Sequence, residues 1–419
     1  MNSRSDSATT GPQDVSGFHY GWVVAAALAV SETISWGILY YSFPVFLRAM
    51  ETDLGVSQVA ITGALSAALG VSALAAVPVG WWLDRRGPRA LMTTGSCLAT
   101  AILFAWSRVG GLGGLYAVWC TMGLAMAMTL YEPAFAAVVQ WFPSHRDRAL
   151  LIVTLVAGLA STIFMPVAAW LLVRFGWRTA VQALAALLAA TTIPIHALVL
   201  RPAPRGHAPG RPDGQPGRSG ATLRAALATG AFWILAIAFG VSSFISVAVS
   251  VHGIPFLTQH GYPAGRAAAL IGWMGAMQLP GRLCFVPVAR WWGAARATAS
   301  IFLAQSAGMA LLAMAVRFSS LVPVLLLLGA ANGMSTLARA TTVAEVFGRR
   351  SYGSVNGAIG LGASAARALG PVGTSLLVSW IGSYERAFLV LASAIALAGI
   401  ALVFGEIPTA EPGGGGGDP

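Results

Sequence analysis

Five charged residues stand inside long apolar stretches of the sequence: Glu32, Glu132, Arg282, Arg339 and Arg367. A charged side chain in the core of a bilayer costs at least about 2.5–3.5 kcal/mol, so each one needs a partner or a purpose. Arginine suits a carboxylate because its planar guanidinium donates two parallel hydrogen bonds. Arg282 and Arg367 are therefore predicted to bind an organic anion.

Two acidic residues are predicted to face these arginines from the other half of the chain. Counted at ~1.5 Å per residue from the ends of their apolar stretches, Glu32, Glu132 and Arg282 lie roughly 13–18 Å deep. Either acid could carry a proton, or form an ion pair that opens when substrate takes its arginine. The alternative is a structural ion pair between helices, which is favoured for Arg339 because Glu345 lies within two turns.

Composition identifies the surroundings of these charges as a lipid bilayer. Of the 419 residues, 57% are hydrophobic and 9% are charged, and the mean hydropathy is +0.73. A soluble domain carries about 25% charged residues, so the chain is predicted to be an all-α polytopic membrane protein. The net charge of +11 comes from arginines in short loops, which indicates membrane orientation rather than binding of nucleic acid.

Enzymatic chemistry and cofactors are not expected. The three cysteines, Cys97, Cys120 and Cys284, lie in apolar stretches without close-spaced partners, which argues against a disulfide framework or a metal site. The sequence has no GxxxxGK phosphate loop, which argues against an ATP-driven pump, and no hydrolase motif.

Twelve apolar segments are long enough to cross a hydrocarbon core of roughly 30 Å. They divide the chain into a cytoplasmic tail (1–19), a six-helix bundle (20–200), a Pro/Gly/Arg-rich cytoplasmic loop (201–224), a second six-helix bundle (225–404) and a flexible cytoplasmic tail (405–419). The segments span residues 20–47, 59–83, 90–106, 113–141, 149–175, 179–200, 231–257, 267–291, 297–316, 321–347, 353–381 and 386–404.

The distribution of arginine predicts the orientation. Fourteen loop arginines fall on the side of the amino terminus and seven on the opposite side. Because positive loops stay in the cytoplasm, both termini are predicted to be cytoplasmic in a plasma (inner) membrane. We expect the protein to function as a monomer.

The two halves repeat short patterns at similar spacings. Val77-Pro78-Val79 recurs 209 residues later as Val286-Pro287-Val288, and Pro166-Val167 recurs 205 residues later as Pro371-Val372. Two homologous halves related by an axis along the membrane normal are typical of alternating-access carriers.

The loop between the second and third segments carries a family resemblance. Its pattern Gly80-x-x-x-Asp84-Arg85-x-Gly87-x-Arg89 resembles the signature of the major facilitator superfamily. The resemblance implies two bundles that rock around a central site, with these five residues in gating. Asp84 is predicted to cap a helix or pair across the bundle interface, because the corresponding 290–296 stretch of the second half has no acid.

Four further motifs resemble the branch that holds monocarboxylate carriers and oxalate/formate exchangers. They are Tyr20-Gly21-Trp22, Tyr131-x-Pro133, Gly176-Trp177-Arg178 and Gly281-Arg282. This resemblance implies that Arg282 pairs with the substrate carboxylate and that Arg367 is a second cation. Gln278 replaces the aspartate of the proton-coupled carriers, and Arg367 replaces the lysine of the exchangers. Gln278 is expected to hydrogen-bond substrate or to orient Arg282.

Six aromatic residues are candidates for the cavity wall, or alternatively for packing and interface anchoring. They are Trp36, Tyr40, Tyr41, Trp119, Tyr131 and Trp273. His252, near the end of its segment, is expected to be structural or gating. The resulting hypothesis is a secondary transporter of small organic anions, mono- or dicarboxylates, working by proton coupling or exchange. The alternatives are an efflux carrier for drugs or other hydrophobic compounds and a non-transporting membrane sensor.

Overall fold

The computed structural model describes residues 15–142, 146–201, 223–314, 318–347 and 352–404. Most of the predicted tails and central loop lie outside these ranges. The described residues form helices joined by short turns, without strands. The helices are α1 (Val15–Trp36), α2 (Phe43–Leu54), α3 (Gln58–Arg86), α4 (Pro88–Trp106), α5 (Leu112–Thr129), α6 (Tyr131–Trp141), α7 (Arg146–Ala157), α8 (Ala160–Pro194), α9 (Leu223–Leu227), α10 (Gly230–Gln259), α11 (Ala264–Trp292), α12 (Ala294–Met314), α13 (Phe318–Phe347), α14 (Tyr352–Ile381) and α15 (Tyr384–Phe404).

Nine stretches of the described residues are long and apolar enough to cross a membrane. One of them, Arg148–Val199, contains Gly176, where the backbone leaves the helical region and the chain turns (φ 76°). Helices α11 and α14 are 29 and 30 residues long and contain Arg282 and Arg367. The prediction of an all-α membrane fold is confirmed, and twelve crossings fit this architecture.

The helices of residues 15–201 and of residues 223–404, called the first and second halves, pack in matching pairs. In the first half α3 packs on α5, α4 on α8, and α1 on α7. The second half repeats these pairs as α11 on α13, α12 on α15, and α10 on α14. The halves meet where α8 packs on α11 and where α3 packs on α14. These contacts give two pseudo-symmetric bundles.

The turns of the two halves repeat as well. Glycines with positive φ occur in pairs that are 206 residues apart along the chain: Gly55 and Gly261, Gly87 and Gly293, Gly176 and Gly382. A side chain strains the backbone in this region, so glycine is the residue that turns the chain there. We call the face that carries the 80–89 turn the turn face, and the face that carries the turns at Gly55, Gly176, Gly261 and Gly382 the far face.

Three breaks interrupt the first-half helices near their middle. A π-helical turn over Gly37–Tyr41 separates α1 from α2, an extended residue at Leu130 separates α5 from α6, and the chain loosens at Gly158 between α7 and α8. Pro133 explains the second break, because proline fits the first turn of a helix and clashes with the preceding turn in its interior. Breaks of this kind place backbone and side chains at a substrate site in many carriers.

Two of the sequence motifs stabilise the first half itself. At the far face, Arg178 donates a hydrogen bond of 2.6 Å to the Asp53 carboxylate, and the Trp177 indole nitrogen lies 3.2 Å from the same oxygen. Tyr20 donates its hydroxyl to the Val199 carbonyl at 2.8 Å. These contacts tie α8 to α2 and α1 to the turn that follows α8.

Candidate functional site

A cavity of about 590 Å³ lies between the two halves. Its charged lining residues are Glu132, Arg282 and Arg367. The structure brings together all of the residues that the sequence predicted for substrate binding, since the cavity is lined by Arg282, Arg367, Gln278, Tyr131 and Tyr40.

The two arginines reach the cavity from neighbouring helices of the second half. Arg282 on α11 donates from Nη1 to the Thr154 carbonyl on α7 at 3.0 Å, and its Nε has no hydrogen bond within the described structure. Arg367 on α14 is exposed to the cavity. Neither guanidinium forms an ion pair with any residue that the structure describes. Two positive charges therefore remain available to an anion.

The two acids occupy different surroundings. Glu132 lies in the first turn of α6 and lines the cavity. Glu32 is 0% exposed, and neither of its carboxyl oxygens has a hydrogen-bond partner in the described part of the chain. The Trp36 indole N–H, one turn further along, lies near this carboxyl group, although the two do not meet hydrogen-bond geometry. The structure thus does not bring Glu32 to the arginines: it lies behind the cavity wall, within electrostatic reach of Glu132.

Four aromatic residues form one wall of the cavity: Trp36, Tyr40, Tyr41 and Tyr131. The ring centroid of Trp36 lies 5.6 Å from that of Tyr40 and 5.1 Å from that of Tyr131. Tyr41 lies within electrostatic reach of both Arg282 and Arg367. The wall combines apolar ring faces with hydroxyl groups opposite two cations.

The other two aromatic candidates lie elsewhere. Trp119 is completely buried, where it packs at right angles on Trp106 with centroids 5.0 Å apart. Trp273 is 49% exposed and borders a surface groove beside Arg266. Trp119 lies inside α5, away from the break at Leu130, and Trp273 lies on the unbroken helix α11, whereas the aromatic residues of the cavity are at or beside the helix breaks. Such breaks carry a weak sequence signal except where a proline marks them.

Sequence reasoning did not identify a set of short polar residues in the second-half wall. They are Ser246, Ser250, Asn332, Thr336 and Ser364. Small hydroxyl residues are common in membrane helices, where they bond to their own backbone or to a neighbouring helix. One available signal is the spacing of Ser243, Ser246 and Ser250, which places three hydroxyls on one face of α10.

A hydrogen-bonded seal joins the halves on the far side of the cavity, with His252 at its centre. His252 Nε2 lies 2.9 Å from the Pro371 carbonyl, so Nε2 carries the proton and Nδ1 accepts. Gln58 donates its amide to that Nδ1 at 3.1 Å and also hydrogen-bonds the Tyr384 hydroxyl. Nearby, the Thr62 and Ser375 hydroxyls lie 2.9 Å apart. These bonds link α3 to α10, α14 and α15.

A close backbone approach completes the seal between α8 and α11. Thr162 donates its hydroxyl to the Gly272 carbonyl at 2.7 Å. A Cβ atom on Gly275 would lie 2.0 Å from Ser161 Oγ, and one on Gly272 would lie 2.8 Å from the Ser161 backbone carbonyl oxygen, so the two glycines permit this close approach. Ala76, Gly357 and Leu361 line the cavity from the turn-face parts of α3 and α14, so the cavity extends toward the turn face while the far face is closed.

The 80–89 turn lies at the end of α3 and the start of α4. Gly87 has φ 71°, and nothing lies within 4 Å of the position where a side chain on Gly80 would begin. Arg85 and Arg89 are exposed there. The side chain of Asp84 lies outside the part of the structure that can be described, so its predicted capping role stays a prediction.

The second half provides an acid at the matching turn from another helix. Glu345 on α13 accepts a hydrogen bond of 2.9 Å from the Ala294 backbone N–H, the first residue of α12. A carboxylate at a helix N-terminus stabilises the helix dipole and satisfies a free N–H group. The acid that the 290–296 stretch lacks is therefore supplied by Glu345, the residue predicted as a partner of Arg339.

No group of three or more His, Cys, Asp or Glu side chains that could hold a metal occurs among the residues described. The cavity chemistry that the described residues offer is anion binding by arginine, hydrogen bonding by hydroxyl and amide groups, and contact with aromatic rings.

Comparison with known proteins places this chain in a family. The profile of the Major Facilitator Superfamily matches residues 25–371. Over 170 residues, the chain is 30% identical to the riboflavin transporter RibJ of Trypanosoma brucei brucei and 26% identical to monocarboxylate transporter 13 of Rattus norvegicus. These matches cover 39% and 40% of this chain, and only 30% and 39% of the two relatives.

Solved structures show the same fold. A bacterial homologue of the human lysosomal transporter Spinster, in an inward-facing and unoccupied conformation, superposes with a TM-score of 0.69 at 15% identity, over 92% of this chain and 95% of that one. The nucleoside transporter NupG superposes with a TM-score of 0.68 at 14% identity, over 91% of this chain and 98% of that one. The chain belongs to the Major Facilitator Superfamily of membrane transporters.

Proposed function

We propose that this protein is a secondary, alternating-access transporter of small organic anions, with mono- and dicarboxylates as the substrate class. One observation carries the proposal: Arg282 and Arg367 line the same cavity, and neither has an ion-pair partner among the described residues. Two guanidinium groups that form no ion pair in a membrane-embedded cavity are costly, and a carboxylate that accepts their paired hydrogen bonds offsets that cost.

Substrate binding can drive the conformational change through the same charges. To close the cavity on the turn face, the protein must withdraw Arg282 and Arg367 from solvent. Closing an empty cavity leaves both charges buried without compensation, whereas closing around an anion does not. The bound anion therefore favours the occluded state. Gln278, one helical turn from Arg282, is positioned to orient either the arginine or the substrate.

Coupling to a proton is proposed to involve the acids of the first half. An ionised carboxylate without a partner is expensive to bury, so Glu32 is far better accommodated when it carries a proton. Glu132, which lines the cavity, is the neighbouring acid to which that proton can pass. Exchange of one anion for another without proton movement is the alternative mode.

The proposed setting is the inner membrane with both termini in the cytoplasm. The arginines of the turn face support this orientation. The cavity that opens toward the turn face is then open to the cytoplasm. The 80–89 turn is proposed to gate that opening, with Gly80, Asp84, Arg85, Gly87 and Arg89 as the gating residues.

A thermal-shift screen of the purified protein tests the substrate class. Organic acids, oxyanions, neutral drugs and cationic drugs are compared at two pH values. We expect carboxylates to raise the unfolding temperature, because a ligand that binds only the folded state stabilises it by mass action. Stabilisation by cationic or neutral compounds alone contradicts the proposal.

The aromatic wall favours one alternative, an efflux carrier for hydrophobic compounds. Trp36, Tyr40, Tyr41 and Tyr131 offer ring faces to a planar ligand, and a volume of about 590 Å³ accommodates a drug-sized molecule. Similarity to a riboflavin transporter is consistent with a ring-containing substrate. This alternative predicts that neutral aromatic compounds bind equally well to the wild type and to a variant lacking both Arg282 and Arg367.

A further inference from the structure

A second, smaller pocket opens beside the central cavity within the second half. We call it the side pocket. It has a volume of about 100 Å³ and lies between α10, α13 and α14. Its lining is Phe239, Ser242, Ser243, Ser246, Asn332, Ser335, Thr336, Arg339 and Arg367. Eight of these nine residues are polar or charged, which is unusual at such a position in an apolar bundle because polar groups there are costly unless they bond.

A buried hydrogen-bond network forms the rear wall of the side pocket. Gln305 on α12 is 0% exposed; it accepts a hydrogen bond from the Ser242 hydroxyl at 2.9 Å and donates one to the Asn332 side-chain carbonyl at 2.8 Å. The Ser242 hydroxyl also lies 3.2 Å from that of Ser335. Because Gln305 occupies the carbonyl of Asn332, the amide NH₂ of Asn332 remains as a donor.

The side pocket is therefore rich in hydrogen-bond donors. Arg367 contributes a guanidinium group without an ion-pair partner among the described residues, Asn332 contributes an amide, and Ser243 and Ser246 contribute hydroxyls. None of the nine described lining residues is acidic. Hydrogen-bond donors and a positive charge, with no acidic side chain among the described lining residues, are the chemistry that binds an oxyanion.

Size restricts which oxyanion group fits. A single carboxylate fits within a volume of about 100 Å³. The side pocket shares Ser246, Asn332, Thr336 and Arg367 with the central cavity, so a group bound there stays connected to a molecule in the cavity.

We propose that the side pocket binds the second carboxylate of the substrate, so that dicarboxylates are preferred over monocarboxylates. One carboxylate lies against Arg282, the middle of the molecule contacts the aromatic wall, and the other carboxylate enters the side pocket beside Arg367. This assignment rests on the proposed function and narrows it.

The test compares each diacid with its own half-ester. Titration calorimetry on the purified full-length protein uses succinate, glutarate, adipate and suberate, and the monomethyl ester of each. Because a hydrogen-bonded charge contributes about 1.5–3 kcal/mol, we expect a diacid of fitting length to bind roughly ten- to hundred-fold more tightly than its half-ester.

A variant tests whether the side pocket causes the tighter binding of the diacid. Ser243→Val fills the side pocket and removes a donor, and Ser243 does not line the central cavity. We expect it to bring the diacid close to the affinity of the half-ester while half-ester binding stays the same. The matched control is Ser72→Val, because Ser72 lines the central cavity away from the side pocket and the change should leave the ratio intact.

Three results overturn the assignment. Equal affinities of diacid and half-ester at every chain length contradict it, and this measurement on the wild type is independent of how any variant folds. Equal weakening of both ligands by Ser243→Val also contradicts it. If neither ligand binds, the proposed function fails as well, whereas binding of half-esters without a diacid advantage refutes only the role of the side pocket.

Discussion

At the scale of single residues, the strongest signal is a charge inside an apolar stretch. Arg282, Arg367 and Glu132 could be selected from the sequence because a membrane helix tolerates such residues only with a reason. The structure places all three along one cavity. Ser246 and Asn332 could not be selected in this way, because short polar side chains occur throughout membrane helices and their role depends on which helix lies opposite.

The position of Glu32 in the sequence predicts its depth in the membrane but not the direction of its side chain. Its depth in the first segment predicted a place opposite the arginines, yet it lies buried behind the cavity wall without a hydrogen bond among the described residues. Depth is set by the number of residues from the helix end. The direction of the side chain depends on rotation of the helix, which the π-helical turn at Gly37–Tyr41 alters locally.

The first prediction concerns Glu32 as a proton carrier. In proteoliposomes, Glu32→Gln should remove the dependence of carboxylate uptake on an imposed pH gradient while substrate exchange continues, because glutamine keeps the shape and cannot take up the proton. Glu51→Gln is the control, since Glu51 is a far-face residue paired with Arg48. If uptake by Glu32→Gln still follows the pH gradient as in the wild type, Glu32 is not the carrier.

At the scale of helices, the ends and the order of the elements follow from the sequence, and the breaks follow only in part. Gly87-Pro88 ends α3 and starts α4 as the turn chemistry predicts. Pro133 marks the break before α6. Pro44, in the first turn of α2, marks the break near Ser42 in the same way. The break near Gly158 has no such signal, because it depends on helices that pack there from elsewhere in the chain.

The glycine contact between α8 and α11 provides the second prediction. Gly275→Val places a side chain against Ser161 and should open the far-face seal. Opening of the seal would be measured as the rate at which a membrane-impermeant maleimide labels Ser375→Cys. The background for this variant has alanine at Cys97, Cys120 and Cys284. Ser375 is 3% exposed in the sealed state, so labelling should be slow and should rise several-fold in the variant.

The matched control for this substitution lies on the same helix. Gly265 has nothing within 4 Å of its missing side chain, so Gly265→Val should leave the labelling of Ser375→Cys unchanged. Labelling that stays slow in Gly275→Val, in protein that remains folded, shows that this contact does not hold the seal closed.

At the scale of the whole molecule, the pseudo-symmetry is carried by the turns more clearly than by the helices. The three pairs of positive-φ glycines have one common offset, and the short repeats found in the sequence have nearly the same one. The chemistry of the halves nevertheless differs. The first half contributes broken helices, aromatic rings and acids, and the second half contributes the unbroken helices that carry both arginines.

The third prediction concerns orientation. In intact cells, the impermeant maleimide should label Arg386→Cys on the far face and should not label Arg296→Cys on the turn face, because the arginine-rich face is predicted to be cytoplasmic. Both positions are exposed in the structure. The cysteine-free background again removes competing thiols. The reverse pattern of labelling means that the molecule is inserted the other way up and that the cavity opens away from the cytoplasm.

The most direct test of the central claim is the affinity of a carboxylate for variants of the two cavity arginines. Titration calorimetry with benzoate and with glutarate compares the wild type, Arg282→Gln, Arg367→Gln and the surface control Arg266→Gln. Losing one charged hydrogen-bonding partner should weaken binding roughly ten- to hundred-fold, while Arg266→Gln should bind like the wild type. If both carboxylates bind the wild type and the two cavity variants with equal affinity, Arg282 and Arg367 do not form the anion site.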